Sequence, residues 1–244
     1  MGTDVSPSDM RVHLQTVGAV VGIVAGSLLV ASLAISIGGS LLQSLGLSLT
    51  APGPRALVDA LQFVGFGVAI VAYLQLRDDW DLIRWRVPSA KDVGWMLGGL
   101  VVLFGTLYAL SIVASLLEAS TAESSIVSTG RENPVYLLYL VPVTILLVGP
   151  TEELIFRGIV QGTIRRAYGP VVGVVGASLV FASIHLPSLL GDGQFTTLAI
   201  IFTLGALLGT LYELTDNIVV PIVVHGLFNA VQFVGQYASQ TGML

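Results

Sequence analysis

Seven stretches of this chain are apolar and almost free of charge: 14–37, 57–76, 93–117, 134–151, 170–187, 195–214 and 218–238. Each is long enough to cross a hydrocarbon core of about 30 Å as a helix. The first extends toward Leu49 as a tilted helix or carries an extra turn, so the pattern predicts seven to eight spans. Polar and breaker residues separate them: Ala51-Pro52-Gly53-Pro54, the charged 77–92 loop, Asn133-Pro134, Gly169-Pro170 and Gly191-Asp192-Gly193. The expectation is an all-α polytopic transmembrane bundle with a polar cavity in its C-terminal half. It divides into residues 1–133, with spans one to three and their loops, and a core at 134–238, with spans four to seven.

Composition agrees with lipid as the solvent. Only 10% of the 244 residues are charged and 54% are hydrophobic, with a mean hydropathy of +0.89. A soluble domain carries roughly 25% charged residues. The excess of acid, 15 Asp and Glu against 10 Lys and Arg, argues against nucleic acid as a partner. The absence of Cys excludes disulfides, thiolate zinc sites and a cysteine nucleophile. Arg11 and His13 precede the first apolar run, which reads as a retained span. His13 itself reads as a surface residue.

Basic residues fall unevenly about these spans. With the N-terminus inside, Arg11, Arg77, Arg84, Arg86, Lys91, Arg157, Arg165 and Arg166 lie on the cytoplasmic side, against Arg55 and Arg131 outside. The positive-inside bias therefore predicts a cytoplasmic N-terminus in a multi-pass cell-membrane protein. Glycines spaced for close helix contact, Gly18, Gly22 and Gly26 and again Gly205 and Gly209, read as packing positions.

Chemistry concentrates at Pro150-Thr151-Glu152-Glu153-Leu154-Ile155-Phe156-Arg157-Gly158. Ionisable groups beside a membrane span are costly and mark functional sites. Glu153 and Arg157, four apart, share a helix face and read as an ion pair. Glu152 points elsewhere and has no local partner, which suits a general base. Phe181 and His185 are four apart in span five, and His225 and Asn229 are four apart in span seven. This set has two readings. Glu152, His185 and His225 could bind a metal such as Zn2+ and leave a position for water. Alternatively, without metal, Glu152 and His185 activate a water while His225 and Asn229 stabilise the oxyanion. His-Glu-x-x-His and Gly-x-Ser-x-Gly motifs are missing.

Three motifs in order, Pro150-x-x-Glu-Glu-x-x-Phe-Arg-Gly, Phe181-x-x-x-His185 and Pro221-x-x-x-His225-x-x-x-Asn229, resemble the CPBP family. That family comprises CAAX prenyl endopeptidases and bacteriocin-processing and self-immunity proteins. The resemblance covers 136–233. It implies an intramembrane endopeptidase, often labelled a metalloprotease, that hydrolyses a peptide bond in a membrane-associated protein or peptide. Under it Glu152 matches the water-activating glutamate with His185 as partner, and His225 and Asn229 match the oxyanion pair. Glu153, Arg157 and Phe181 support them. The rival readings are a membrane immunity or scaffold protein without catalysis, and a proton-coupled transporter. The transporter is disfavoured because the halves show no repeat.

One difficulty attends the expected site. Were every span straight, His185 would lie about 22 Å along span five, while Glu152 and His225 would lie near the cytoplasmic ends of theirs. They meet only if span five begins deeper or if helices break near Pro150, Pro187 or Pro221. A water-filled cavity open to the cytoplasm is the expectation.

Overall fold

The computed structural model describes residues 7–243 and is a bundle of long helices. They are α1 (Pro7–Ser44), α2 (Pro52–Arg77) and α3 (Ala90–Leu116), then β1 (Glu123–Ser124) and the short α4 (Ser125–Glu132). After these come α5 (Val135–Tyr168), α6 (Pro170–His185), β2 (Leu189–Leu190), α7 (Gln194–Thr215) and α8 (Val219–Gln240). Seven of these helices are long and apolar enough to cross a membrane, so seven spans replace the range of seven to eight. The protein is a multi-pass membrane helix bundle, and its only sheet among the described residues is the two-residue antiparallel pair β1–β2.

Local chemistry sets the helix boundaries. Proline at the first turn starts α2 and α6, where its missing N–H costs nothing. Ser89 caps α3, with Asp92 completing a reciprocal capping box. Gly169, at φ +86°, makes the tight turn between α5 and α6, a conformation that glycine adopts without strain.

Span four is longer than the hydropathy pattern suggests. The apolar run ends at 151, but the helix continues to Tyr168, with Glu153, Arg157 and Gln161 each finding a hydrogen-bond partner inside the protein. Two stretches of α5, Thr144–Val148 and Leu154–Gln161, are wound as wider π-helical turns on either side of the Glu152–Glu153 pair. Such turns recur at functional sites. Here they flank Pro150, whose missing N–H breaks the regular hydrogen-bond ladder.

The end of the bundle holding the α5–α6 turn is tied by charges. Arg84 pairs with Glu213 at 3.1 Å and Asp216 at 2.6 Å, and Arg165 reaches Glu213 at 2.9 Å. Arg166 pairs with Asp79 and Asp81. The 83–86 strap also lends backbone to the start of α8. Ile218 N–H donates to the Arg84 carbonyl, and the buried Asn217 accepts from Arg86 N–H. The α7–α8 turn is thus covered by protein, and α8 begins inside the bundle rather than at its surface. Exposed His13 stacks on Tyr168 at this same end.

The glycine expectation holds for one set and fails for the other. A Cβ on Gly209 would lie 2.6 Å from Gln161 Oε1, and one on Gly205 3.2 Å from Phe181, so α7 does pack closely on α5 and α6. A Cβ on Gly18, Gly22 or Gly26 would meet nothing within 4 Å. The close α1–α2 contact is instead at Gly65, where a Cβ would stand 2.7 Å from Ala31 Cα.

Candidate active site

The predicted depth conflict disappears once α5 reaches Tyr168. Glu152 lies sixteen residues before Tyr168 and His185 fifteen after Pro170. At 1.5 Å per residue each stands roughly 22–24 Å from the shared α5–α6 turn. The two helices run antiparallel from that turn, so both side chains arrive at one level. His225, only six residues into α8, reaches them because α8 starts deep under the 83–86 strap.

At the centre Glu153 and Arg157 are 0% and 1% exposed and pair at 3.0 Å, the contact expected from their spacing. Arg157 also donates to the Gly205 carbonyl at 3.0 Å and lies over the Phe181 ring at 4.6 Å. Glu153 does more than hold Arg157, for its Oε1 is also 2.7 Å from His225 Nδ1. A carboxylate only accepts, so Nδ1 carries the proton in that bond. The other nitrogen, Nε2, faces Glu152 Oε2 at 3.7 Å, too far for a direct hydrogen bond. Close contact with His225 therefore comes from the glutamate expected to be a support, and Glu152 stands one step back. Glu153 Oε2 has no partner among the described residues.

His185 is held differently. Its Nδ1 lies 2.7 Å from the Phe181 carbonyl of its own helix, which makes Nδ1 the donor. The Phe181 ring touches both imidazoles, with centroids 4.6 Å from His185 and 6.1 Å from His225. Asn229 is half-buried one turn beyond His225.

Glu152, Phe181, His185, His225 and Asn229 all line one cavity of about 650 Å³. Glu153 and Arg157 lie behind that wall. The cavity extends from Glu152 to Thr121, Ile126 and Gln236, all exposed at the end of the bundle away from the arginine-rich loops. The expected cytoplasmic opening and the expected cytoplasmic N-terminus therefore do not hold together. A cytoplasmic N-terminus puts Arg77, Arg84, Arg86, Arg165 and Arg166 in the cytoplasm, and the cavity then opens on the opposite side. By sequence Glu152 is expected toward the cytoplasmic end of a helix running on toward Arg166, whereas it stands midway along Val135–Tyr168. Arg157 also leaves the charge comparison, being buried mid-span, and seven basic residues remain against two.

Among the described residues, no three or more His, Asp or Glu side chains are grouped so as to hold a metal ion. Glu153 and the Phe181 carbonyl engage Nδ1 of each histidine and leave both Nε2 atoms without a protein hydrogen bond among the described residues. As placed, Glu152, His185 and His225 do not fit a Zn2+ site.

Sequence reasoning passed over several polar groups near the cavity. The fully buried Thr144 lines it with a hydroxyl that has no partner among the described residues, and Tyr136 O–H donates to Asp59 at 2.7 Å near its mouth. Farther from the cavity, toward the arginine-rich end, fully buried Gln161 donates to Gly209 O and to Glu213. Gln232 and Gln236 line the cavity above Asn229. Their signal lay in the sequence: 225, 229, 232 and 236 fall on one helix face.

Fold and site together define a membrane-embedded helix bundle with a Glu–His–Arg centre at the inner end of an internal cavity. Residues 134–231 match the family model described as Type II CAAX prenyl endopeptidase Rce1-like. This is the stretch that carries the three motifs, and the family resemblance read from them is borne out. The chain is 34% identical over 86 residues to the uncharacterized protein YpbD of Bacillus subtilis (strain 168), covering 35% of this chain and 40% of that one. It is 22% identical over 185 residues to the membrane-embedded CAAX protease MroQ of Staphylococcus aureus (strain USA300), covering 69% and 70%. No solved structure matches.

Proposed function

We propose that the protein is an intramembrane endopeptidase that cleaves a membrane-associated protein or peptide by glutamate-activated water. The observation that carries this reading is the convergence of Glu152, His185, His225 and Asn229, from three helices, on one interior cavity. Membrane helices do not bury such groups without a partner or a purpose. The Rce1-like match and the similarity to MroQ support a membrane protease.

In this mechanism a water beside Glu152 gives its proton to the carboxylate as its oxygen attacks the substrate carbonyl carbon. His185 orients that water through Nε2. The carbonyl oxygen becomes an oxyanion that accepts hydrogen bonds from the Asn229 amide and from His225 Nε2–H. Donation from Nε2 while Nδ1 donates to Glu153 requires a proton on each nitrogen of His225 at that step. Collapse breaks the C–N bond, and the proton held by Glu152 passes to the leaving amine. Glu153 and Arg157 position His225 and do not touch substrate. No step passes through a metal, because the residues do not form a ligand group.

Residues 134–238 form the catalytic core of this reading, and 1–133 supply the first three spans. The N-terminus is cytoplasmic by the basic-residue bias, so the substrate enters from the opposite face. The test is cleavage of a diverse peptide library by detergent-purified protein. Wild type is expected to cleave, with or without chelator, and Glu152→Gln to be inactive. Cleavage by the Gln variant overturns the base, and loss on chelation with rescue by zinc overturns the metal-free mechanism. Phenotypic function retained without cleavage would favour an immunity or scaffold role.

A further inference from the structure

The wall of the cavity contributed by α8 carries a strip of polar side chains beside Phe228 and Phe233. His225, Asn229, Gln232 and Gln236 sit at offsets of 0, 4, 7 and 11 residues, within about 60° of one another around the helix. All four line the cavity, and the strip runs about 16 Å from the Glu152 level to the mouth. The facing wall is apolar, with Leu103 and Leu107 of α3 and Ile200, Leu204 and Leu208 of α7.

These carboxamides do not join helices. Asn229 and Gln236 make no side-chain hydrogen bond among the described residues, and Gln232 reaches only the Phe228 carbonyl of its own helix, at a long 3.4 Å. Polar side chains placed to hold a bundle together would find partners on a neighbouring helix. Each of these amides instead keeps donors and an acceptor free toward the cavity.

We infer that Asn229, Gln232 and Gln236 form a ladder that holds the backbone of an extended substrate peptide, with Gln232 and Gln236 as positioning residues. This rests on the peptidase reading and gives the conformation of its substrate. A helical substrate satisfies its own backbone and needs no such ladder. An unwound segment inside a membrane must find partners for every N–H and C=O. A carboxamide serves both at once. At about 3.3 Å per residue, 16 Å accommodates about five extended residues. Side chains alternate along an extended segment, so one set faces the apolar wall while the backbone faces the amides.

The test measures retention rather than turnover. Full-length protein carrying Glu152→Gln is immobilised in detergent and incubated with a mixture of apolar random decapeptides. A matching mixture is N-methylated at alternate amides. Peptides are quantified by mass spectrometry. Adding Gln232→Leu and Gln236→Leu is expected to lower retention about thirtyfold, as two net hydrogen bonds of about 1 kcal/mol each imply. N-methylation is expected to lower retention similarly on the Glu152→Gln protein but hardly at all on the triple variant. Gln232→Asn with Gln236→Asn is expected to restore part of the binding, which separates lost hydrogen bonding from lost folding. Equal retention by the two proteins, an equal loss on N-methylation, or no retention by either overturns the ladder. Whether Glu152→Gln abolishes cleavage is scored separately, so the base assignment and the ladder fail independently.

Discussion

Glu153 Oε1 lies 2.7 Å from His225 Nδ1, and this contact joins α5 to α8 at the blind end of the cavity. The same oxygen accepts from Arg157, so one buried carboxylate oxygen holds two donors. The arrangement gives the adjacent glutamates different work. Glu153 orients an imidazole from behind the wall, while Glu152 faces the cavity.

Removing that carboxylate leaves Arg157 buried without its counter-charge. Glu153→Ala is expected to destabilise the protein by about 3–5 kcal/mol, the range for breaking a buried ion pair from one side. Glu153→Leu with Arg157→Met is expected to recover much of that loss, since a buried pair can be exchanged for apolar groups at little cost. Neither variant should cleave peptide, because His225 loses its anchor. Thermal unfolding in detergent and a cleavage assay on the same samples check both halves.

The two histidines are expected to separate in stability but not in activity. His185→Ala removes a bond only to its own helix, so thermal stability should stay within about 0.5 kcal/mol. His225→Ala strips Glu153 of a buried partner and should cost about 1–3 kcal/mol. Cleavage should fall about 10²- to 10⁴-fold in each. A His225 variant as stable as wild type would contradict the geometry.

Glycine substitutions test the packing. Gly22→Ala is expected to leave stability unchanged or slightly raised, since its Cβ enters open space. Gly65→Ala should cost about 1–3 kcal/mol, because its Cβ would press on the Ala31 backbone. Comparing midpoints of thermal unfolding decides this.

Orientation can be measured directly because the chain has no native cysteine. Single cysteines at Thr121 and Gln236 should label from outside intact cells with an impermeant maleimide. Cysteines at Asp81 and Asp216 should label only after permeabilisation. The reverse pattern would put the cavity mouth in the cytoplasm and overturn the charge-based orientation.

Much of this was readable in the residues. Helix number followed from apolar length, since a span must be long and nearly uncharged to lie in lipid. The Glu153–Arg157 pair followed from a four-residue spacing within one helix. The site residues were named by type and order, and all of Glu152, Phe181, His185, His225 and Asn229 line the cavity.

What the sequence could not supply depends on contacts between distant segments. Hydropathy ended span four at 151 because the charges beyond it look like a solvated end. The helix is expected to run on toward Arg166. Only the burial of Arg157 and Gln161 against the Gly205 and Gly209 carbonyls shows that it does so inside the bundle, as far as Tyr168. That extension sets Glu152 level with His185 and turns the cavity mouth away from the arginine-rich loops. Likewise nothing in the order of residues says that Glu153 rather than Glu152 grips His225. That choice is made where α8 starts beneath the 83–86 strap. The sequence by itself determined the number of spans and the identity of the polar groups, because these follow from local composition and helical period. The tertiary structure alone decided depth, partner and opening, because each depends on how separate helices are set against one another.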